Sequence, residues 1–350
     1  FVKYFDHTVP FRVAADFSEK NLTGLAQMEF ELDTRESSGI NDPSFLHKAE
    51  AFVTWLREQP ETVHVDSLTD TMKRLNKNMH GDDQDYYVLP ESRELSAQYL
   101  LLYEMSLPYG LDLNNQINVQ KSAIRIIAIF KNLTSNHMLE LEQRANNWLA
   151  THAPELKTTN TSPTLMFSHI GQRNIKSMLG GTLMALVLIS ALLGLALRSV
   201  KYGLLSLIPN LAPAGIAFGI WGFFVGEVGL ALSVVTGMTL GIVVDDTVHF
   251  LSKFLHARRD RGYDSEAAVH YAFNSVGKAL WVTTLVLAAG FAVLAQSSFK
   301  VNAEMGLLTA VTIVIALIMD FLLLPALLLL QERRQTKSDT EKDLAKHEPS

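Results

Sequence analysis

Residues 237–250 read GMTLGIVVDDTVHF, with two adjacent carboxylates, Asp245 and Asp246, inside a stretch otherwise apolar enough to cross a membrane. An ionisable side chain at bilayer depth costs about 2.5–3.5 kcal/mol on insertion scales and faces a bundle interior or a water-filled path. Written as a helix, Ser233, Gly237, Gly241, Asp245 and His249 recur every four residues and share one slowly drifting face. Small residues at that spacing let a neighbouring helix approach closely. Ser233, Gly237 and Gly241 are therefore read as helix-packing positions, with the neighbour covering Asp245 and with His249 one turn below. Buried carboxylates can lock two helices together by hydrogen bonds; the adjacent pair favours a proton- or cation-coupling site instead.

Outward from this stretch, residues 177–330 hold five apolar runs of spanning length, 177–197, 204–224, 230–251, 279–296 and 306–330. Pro209-Asn210 and Pro213 break the second run, which predicts a kink and freed backbone groups. Arg198 and Lys201, then Lys253, Arg258, Arg259 and Arg261, then Arg333 and Arg334 fall on one side, which the positive-inside rule makes cytoplasmic; the opposite loop at 225–229 carries only Glu227. Residues 1–175 are then extracytoplasmic and residues 331–350 a polar cytoplasmic tail. Depths follow from orientation. Asp245 lies about 22 Å below the outer end of its span at 1.5 Å per residue, Asp320 lies about as deep in the last span, and Thr283 and Thr284 reach that level from the other end of the fourth. Asp245, Asp246, His249, Asp320, Thr283 and Thr284 are thus expected in one proton-coupling layer, where burial and neighbouring like charge disfavour an ionised carboxylate. The segment 264–278, with Ala267, Ala268, Tyr271 and Val276, reads as an amphipathic surface helix.

The preceding half is polar and reads as α+β. Met28, Phe30 and Leu32 alternate with Glu29 and Glu31 as a half-buried strand does. Phe45, Ala49, Phe52 and Leu56 supply a helical stripe between Pro43 and Pro60, and Val63 and Val65 a second strand. Residues 124–130 and 138–148 repeat the strand and helix, and Trp55-Leu56 with Pro60-Glu61 is echoed by Trp148-Leu149 with Pro154-Glu155, so two strand–helix–strand units are expected. Between them lies an insertion at 69–116, with an acidic loop (His80, Asp82, Asp83, Asp85), a helix over 91–107 and a turn at Pro108-Tyr109-Gly110. The acidic spacing fits neither a zinc site nor an EF-hand loop, and no metal or other cofactor is expected. The 350 residues contain no cysteine, which excludes disulfides, zinc thiolates and cysteine nucleophiles, and the net charge of −6 lacks the basic stripe of a nucleic-acid partner. No P-loop, HExxH helix or GxSxG elbow is present, and the aspartates lack a Tyr-Asp or Gly-x-Gly-Asp setting, so an enzyme is not expected.

The third span, with GIVVDDTVHF, resembles the fourth and tenth spans of the resistance–nodulation–division (RND) superfamily. In chain order, YFDHTVPFRVAADF, NLTG, LNKNMHGDD, AQYLLLYEMSLPYGLDL, PTLMFSHIGQRNI, IPNLAPA and MDFLLLPALLLL are similar to the hydrophobe/amphiphile efflux-3 and mycobacterial-membrane-protein-large (MMPL) type, which is related in fold to sterol-sensing domains. The resemblance implies the second half of such a protein: a porter-like outer domain and five spans in a bacterial inner membrane. It implies proton-driven export of hydrophobic or amphiphilic molecules, lipids among them, with Asp245 and Asp246 at the family's coupling positions. It also implies two partners besides substrate and membrane lipid: further copies in an oligomer, and an N-terminal half whose residues would complete the proton site. A lipid- or sterol-sensing regulator without turnover is the alternative, and a subunit assisting protein export a third reading. The chain opens FVKYFDHTVPF without an initiator Met, as a piece of something longer would.

Overall fold

The computed structural model describes residues 2–108, 113–156, 160–226 and 229–331. They fall into two compact units, one formed by Pro10–Arg173 and the other by the described residues of Phe1–Val9 and Asn174–Ser350.

The first unit is built on three antiparallel strands, β1 (Ala26–Asp33), β2 (Thr62–Asp66) and β3 (Ala123–Phe130), in the order β1-β3-β2. Period-two alternation sends Met28, Phe30 and Leu32 to one face, all fully buried, opposite Ala128, Ile126 and Ile124 of β3. Helix α1 (Pro10–Asn21) precedes the sheet. Helix α2 (Pro43–Arg57) starts where Asp42 accepts hydrogen bonds from the Ser44 and Phe45 amides and lays Phe45, Ala49, Phe52 and Leu56 on the sheet. Helices α3 (Leu68–Met79) and α4 (Arg93–Ser106) form the insertion, and α5 (Ser135–His152), capped by Thr134, buries Met138, Leu141, Ala145 and Leu149. The echoed tryptophans meet: the Trp55 and Trp148 rings stack at 6.0 Å, and Phe52 lies 5.2 Å from Trp148.

The first strand–helix–strand unit is complete, and among the described residues the closing segment of the second forms one antiparallel bridge. Thr161 exchanges both backbone hydrogen bonds with Glu29, at 2.9 and 3.0 Å. A helix begins at Pro163 two residues later. Two helices escaped the sequence reading. Helix α1 lies where no element is expected, and α3 occupies the start of the expected loop, with Ser67 as its N-cap and Leu68, Met72 and Leu75 buried at helical spacing. On α3, Asp70 pairs with Arg57 and, at 3.2 Å, with Lys73, whose ammonium also meets Glu50 at 2.5 Å. Burial opposes charge on both Asp70 and Lys73. Arg57 and Lys73 nevertheless hold the Asp70 carboxyl below its ordinary 3.8, and Glu50 and Asp70 hold Lys73 above its ordinary 10.5. In the acidic loop His80 stacks on Tyr86 at 3.8 Å, and among the described residues no group of three His, Asp or Glu is placed to hold a metal ion. Residues 109 and 110 of the expected turn, Glu227, and the tail from 332 with Arg333 and Arg334 lie outside the described residues.

The second unit is helical: α6 (Pro163–Ala196, its first turns clustering with the sheet unit), α7 (Val200–Leu205), α8 (Leu207–Phe224), α9 (Leu230–Asp260), α10 (Ser265–Ala272), α11 (Lys278–Leu294) and α12 (Lys300–Ile318). Among the described residues, five helical stretches are long and apolar enough to cross a membrane: Pro163–Ala196, Val200–Phe224, Leu232–Asp260, Ser265–Leu294 and Lys300–Gln331. A polar leader joins the spans as well, since the Asp6 amide donates to the Ser298 carbonyl at 3.0 Å and Phe5 packs on Phe299.

Three local features shape this unit. Pro209 has no N–H to offer the Leu205 carbonyl, and α7 and α8 part there, at Ser206, while Pro213 sits inside a continuing α8. The expected surface helix over 264–278 is instead continuous with the fourth span. Helix α10 passes through a π-helical turn, Phe273–Gly277, into α11, and Ala268, Val269 and Ala272 are buried against Phe250 and Phe254. At the end of α6, Ser199 N–H reaches the Gly194 carbonyl at 2.9 Å and Arg198 N–H the Leu195 carbonyl at 3.1 Å, a Schellman closure. Its left-handed position (φ 47°) is held by Arg198 where glycine is usual, at a cost of about 1–2 kcal/mol.

Candidate functional site

Helix α9 buries a seam of Leu232, Val235, Thr239, Val243, Thr247, Phe250 and Phe254. These residues follow one another at intervals of three or four, so they form one stripe. Against it runs the last span, which beyond α12 passes through a second π-helical turn, Met319–Leu323, and continues to Gln331. Inside that turn is Asp320, 1% exposed, whose Oδ1 accepts a hydrogen bond from the Thr247 hydroxyl at 2.8 Å. Its Oδ2 has no donor among the described residues. Asp246, half-buried and next to Thr247, lies close enough for its charge to act on Asp320. Phe273, from the other π-helical turn, packs edge-on against both Phe250 (5.0 Å) and Phe321 (5.3 Å), which places an aromatic cluster beside the carboxyl.

Polar groups continue along the same helices. Asn210 of α8 is 2% exposed, lines a small cavity with Thr182, Thr236, Thr239 and Thr312, and its Oδ1 finds no partner among the described residues. Thr284 and Thr309 are buried with hydroxyls in the same condition. Buried polar atoms are as a rule paired, so several without a partner among the described residues set this part of the bundle apart. Thr239 and Thr312 instead spend their hydroxyls on the carbonyls of Val235 and Leu308.

The structure separates the expected layer into two faces. Asp320, Asp246 and the buried Thr284 lie on the packed side. Asp245 and His249 point the other way: they face each other at 3.5 Å with side chains 72% and 59% exposed, and no helix among the described residues covers them. The expected close neighbour on the small-residue face is likewise absent among the described residues at Gly237 and Gly241. A Cβ on Gly237 would meet only the Thr182 hydroxyl, at 3.8 Å, and one on Gly241 nothing within 4 Å. Ser233 alone of that set is buried, its hydroxyl 3.1 Å from the Met178 sulfur. The physical reason is that the Val, Thr and Phe seam gives α9 more apolar surface to bury than the glycine face does. Thr283 does not reach the carboxylates either, because its hydroxyl donates to the Ala279 and Leu280 carbonyls of its own helix. Thr247 was the residue missed. Its position on the seam, four after Val243 and three before Phe250, was the signal.

Comparison with known proteins places these features in a family. A model of the MMPL family matches residues 135–347, a stretch that takes in all five spans. A protein of Methanocaldococcus jannaschii described as a membrane protein is 25% identical over 166 residues, covering 46% of this chain and 42% of the relative. The crystal structure of SecDF in a super-membrane-facing form aligns with a TM-score of 0.44 and 14% identity over 64% of this chain and 30% of SecDF. The chain thus spans less than half the length of either protein. With more than half of its sequence matched by the family model, and with five helical stretches of spanning length among the described residues beside an α+β unit, this chain is a multi-pass membrane protein of the MMPL family.

Proposed function

We propose that this chain is the C-terminal half of a proton-motive-force-driven exporter of hydrophobic or amphiphilic molecules, with membrane lipids among its substrates. The observation that carries the reading is the buried Asp320–Thr247 contact beside Asp246, a carboxyl held between two spans with one oxygen bonded and the other open. Protonation changes what that pair of helices can hold together. A neutral Asp320 offers a donor to its surroundings, whereas an ionised one repels Asp246 and draws in donors. Moving one charge through the whole membrane potential supplies about 2.3 kcal/mol per 100 mV, enough to bias a two-state packing of α9 against the last span. Asp245 and His249, on the open face, are the part of the site that the N-terminal half completes, and further copies of the protein assemble around it. The membrane is a bacterial inner membrane, with residues 1–175 in the periplasm and the basic helix ends in the cytoplasm. The role is transport rather than catalysis.

The test is substrate-stimulated proton flux in proteoliposomes containing the full-length protein. Asp245→Asn, Asp246→Asn and Asp320→Asn each keep side-chain shape and remove the charge. Coupled flux is expected to fall at least about a hundredfold in Asp246→Asn and Asp320→Asn, the lower end of what a positioned proton-transfer group contributes, with folding and lipid binding retained. Lipid binding without movement of lipid or protons in the unmodified protein, under imposed gradients, would replace this reading with a sensor.

A further inference from the structure

A cleft of about 800 Å3 opens between α6 and the α7–α8 corner, walled by Leu186, Val187 and Leu195 on one side and Val200, Leu204 and Leu207 on the other. Its floor is fixed by a glycine crossing: a Cβ on Gly203 would stand 2.8 Å from Gly194 Cα. That close approach sets how α6 and α7 cross at the cleft. Nearly everything lining it is apolar, and it lies along segments of membrane-spanning length, so its natural occupant is a hydrocarbon chain.

One end is different. Arg198 and Ser199 line the cleft there. Arg198 is exposed, and no ion pair of its guanidinium is found among the described residues. It occupies the left-handed position of the Schellman closure, where glycine fits without strain, and an outlier of that kind points to a use for the side chain. Positive charge accumulates at the same end. Lys201 is exposed three residues on, and the Arg259 guanidinium donates to the Leu197 carbonyl at 2.7 Å. Asp260, the carboxylate beside Arg259, is engaged by His256 at 2.6 Å.

We propose that this cleft binds one anionic phospholipid, its acyl chain along α6 between Leu186 and Leu195 and its phosphate on Arg198, with Lys201 and Arg259 adding to the field. A basic pocket between spans at the positively charged side of a membrane protein suits such a headgroup, and guanidinium binds phosphate by paired hydrogen bonds. The site is separate from the Asp320 cluster and does not depend on transport. Its lipid is a bound component of the bundle.

The experiment is native mass spectrometry of the full-length protein released from micelles holding equal phosphatidylglycerol and phosphatidylcholine. The unmodified protein is expected to retain one phosphatidylglycerol about fivefold over phosphatidylcholine, the factor that one cation at a membrane surface contributes. Arg198→Gly should lower that ratio to less than half while leaving the thermal midpoint in detergent unchanged or raised, since glycine adopts the left-handed conformation freely. Leu195→Trp, which fills the cleft, should lower retention of both lipids. Equal retention of the two lipids by the unmodified protein, a preference undiminished by Arg198→Gly, or a cleft covered by a second protein chain with no lipid bound would each overturn the proposal.

Discussion

Thr247→Val tests the central contact with little change of shape, because it replaces one hydroxyl by a methyl group at a fully buried position. Interhelical hydrogen bonds in membrane bundles average about 0.6 kcal/mol and reach about 1.7. The Thr247–Asp320 bond belongs at the upper end: it is 2.8 Å long, its acceptor is 1% exposed, and the other carboxyl oxygen has no donor among the described residues. Losing Thr247 therefore leaves Asp320 with neither oxygen bonded to those residues, and a loss of about 1.5–2 kcal/mol is expected. Asp320→Leu removes the acceptor, and once it is gone Thr247→Val should be nearly neutral, since taking both partners away leaves nothing unsatisfied. A double-mutant cycle, followed by unfolding in mixed micelles, should give a coupling of about 1.5 kcal/mol, with Thr247→Ser close to the unmodified protein. Additivity of the two single changes to within about 0.5 kcal/mol would refute the inference that these groups act as a pair.

Two further outcomes follow from packing and from charge. A Cβ on Gly306 would lie 2.7 Å from the Phe291 carbonyl oxygen and 2.9 Å from the Ala295 nitrogen, both backbone atoms that cannot swing aside. Gly306→Ala should thus part α11 from α12 and cost about 1–3 kcal/mol in the same unfolding assay; an unchanged midpoint would contradict the close approach. In the α+β unit, the folded-state value of Asp70 is depressed below 3.8, so its contribution is present above 3.8 and is lost as pH falls through the lowered folded value. The stability difference between the unmodified protein and Asp70→Asn, read by near-ultraviolet dichroism of the stacked Trp55 and Trp148, should be constant near neutrality and shrink in acid below 3.8. A difference that grows in acid would reverse the sign of the argument.

The sheet unit was legible where burial imposes a period. Met28, Phe30 and Leu32 could alternate only as a strand, and the stripe from Phe45 to Leu56 only as a helix. The twin tryptophan motifs told of a repeat because each supplies the same layer of one core. Helix α3 was hidden by its charge: Asp70, Lys73, Arg74 and Lys77 mask a narrow stripe of Leu68, Met72 and Leu75. In the spans, length and hydropathy marked all five helices, but hydropathy does not distinguish a lipid-facing stripe from a packed one. Small residues every four positions drew the reading to the face of Gly237, Gly241 and Asp245. The chain's own contacts run instead through Val243, Thr247 and Phe250, and only three-dimensional packing distinguishes the two. Asp320 was legible because a lone carboxylate in an apolar run is conspicuous. Thr247 was not, since threonine is common in spans and its partner lies 73 residues away.

The two π-helical turns, Phe273–Gly277 and Met319–Leu323, bear on how relatives of this chain diverge. A π-helical turn is an α-helix with one residue added, and one residue turns everything beyond it by about 100°. Deleting a single codon within 319–323 would leave the loops and the apolar length of the last span intact. It would nevertheless rotate Leu324 and Leu328 away from the aromatic cluster, or carry Asp320 off the seam of α9. Gapless alignment of this span against a homologue without the bulge would then match the wrong residues on one side of it. The acidic position in such a homologue is to be sought one residue away.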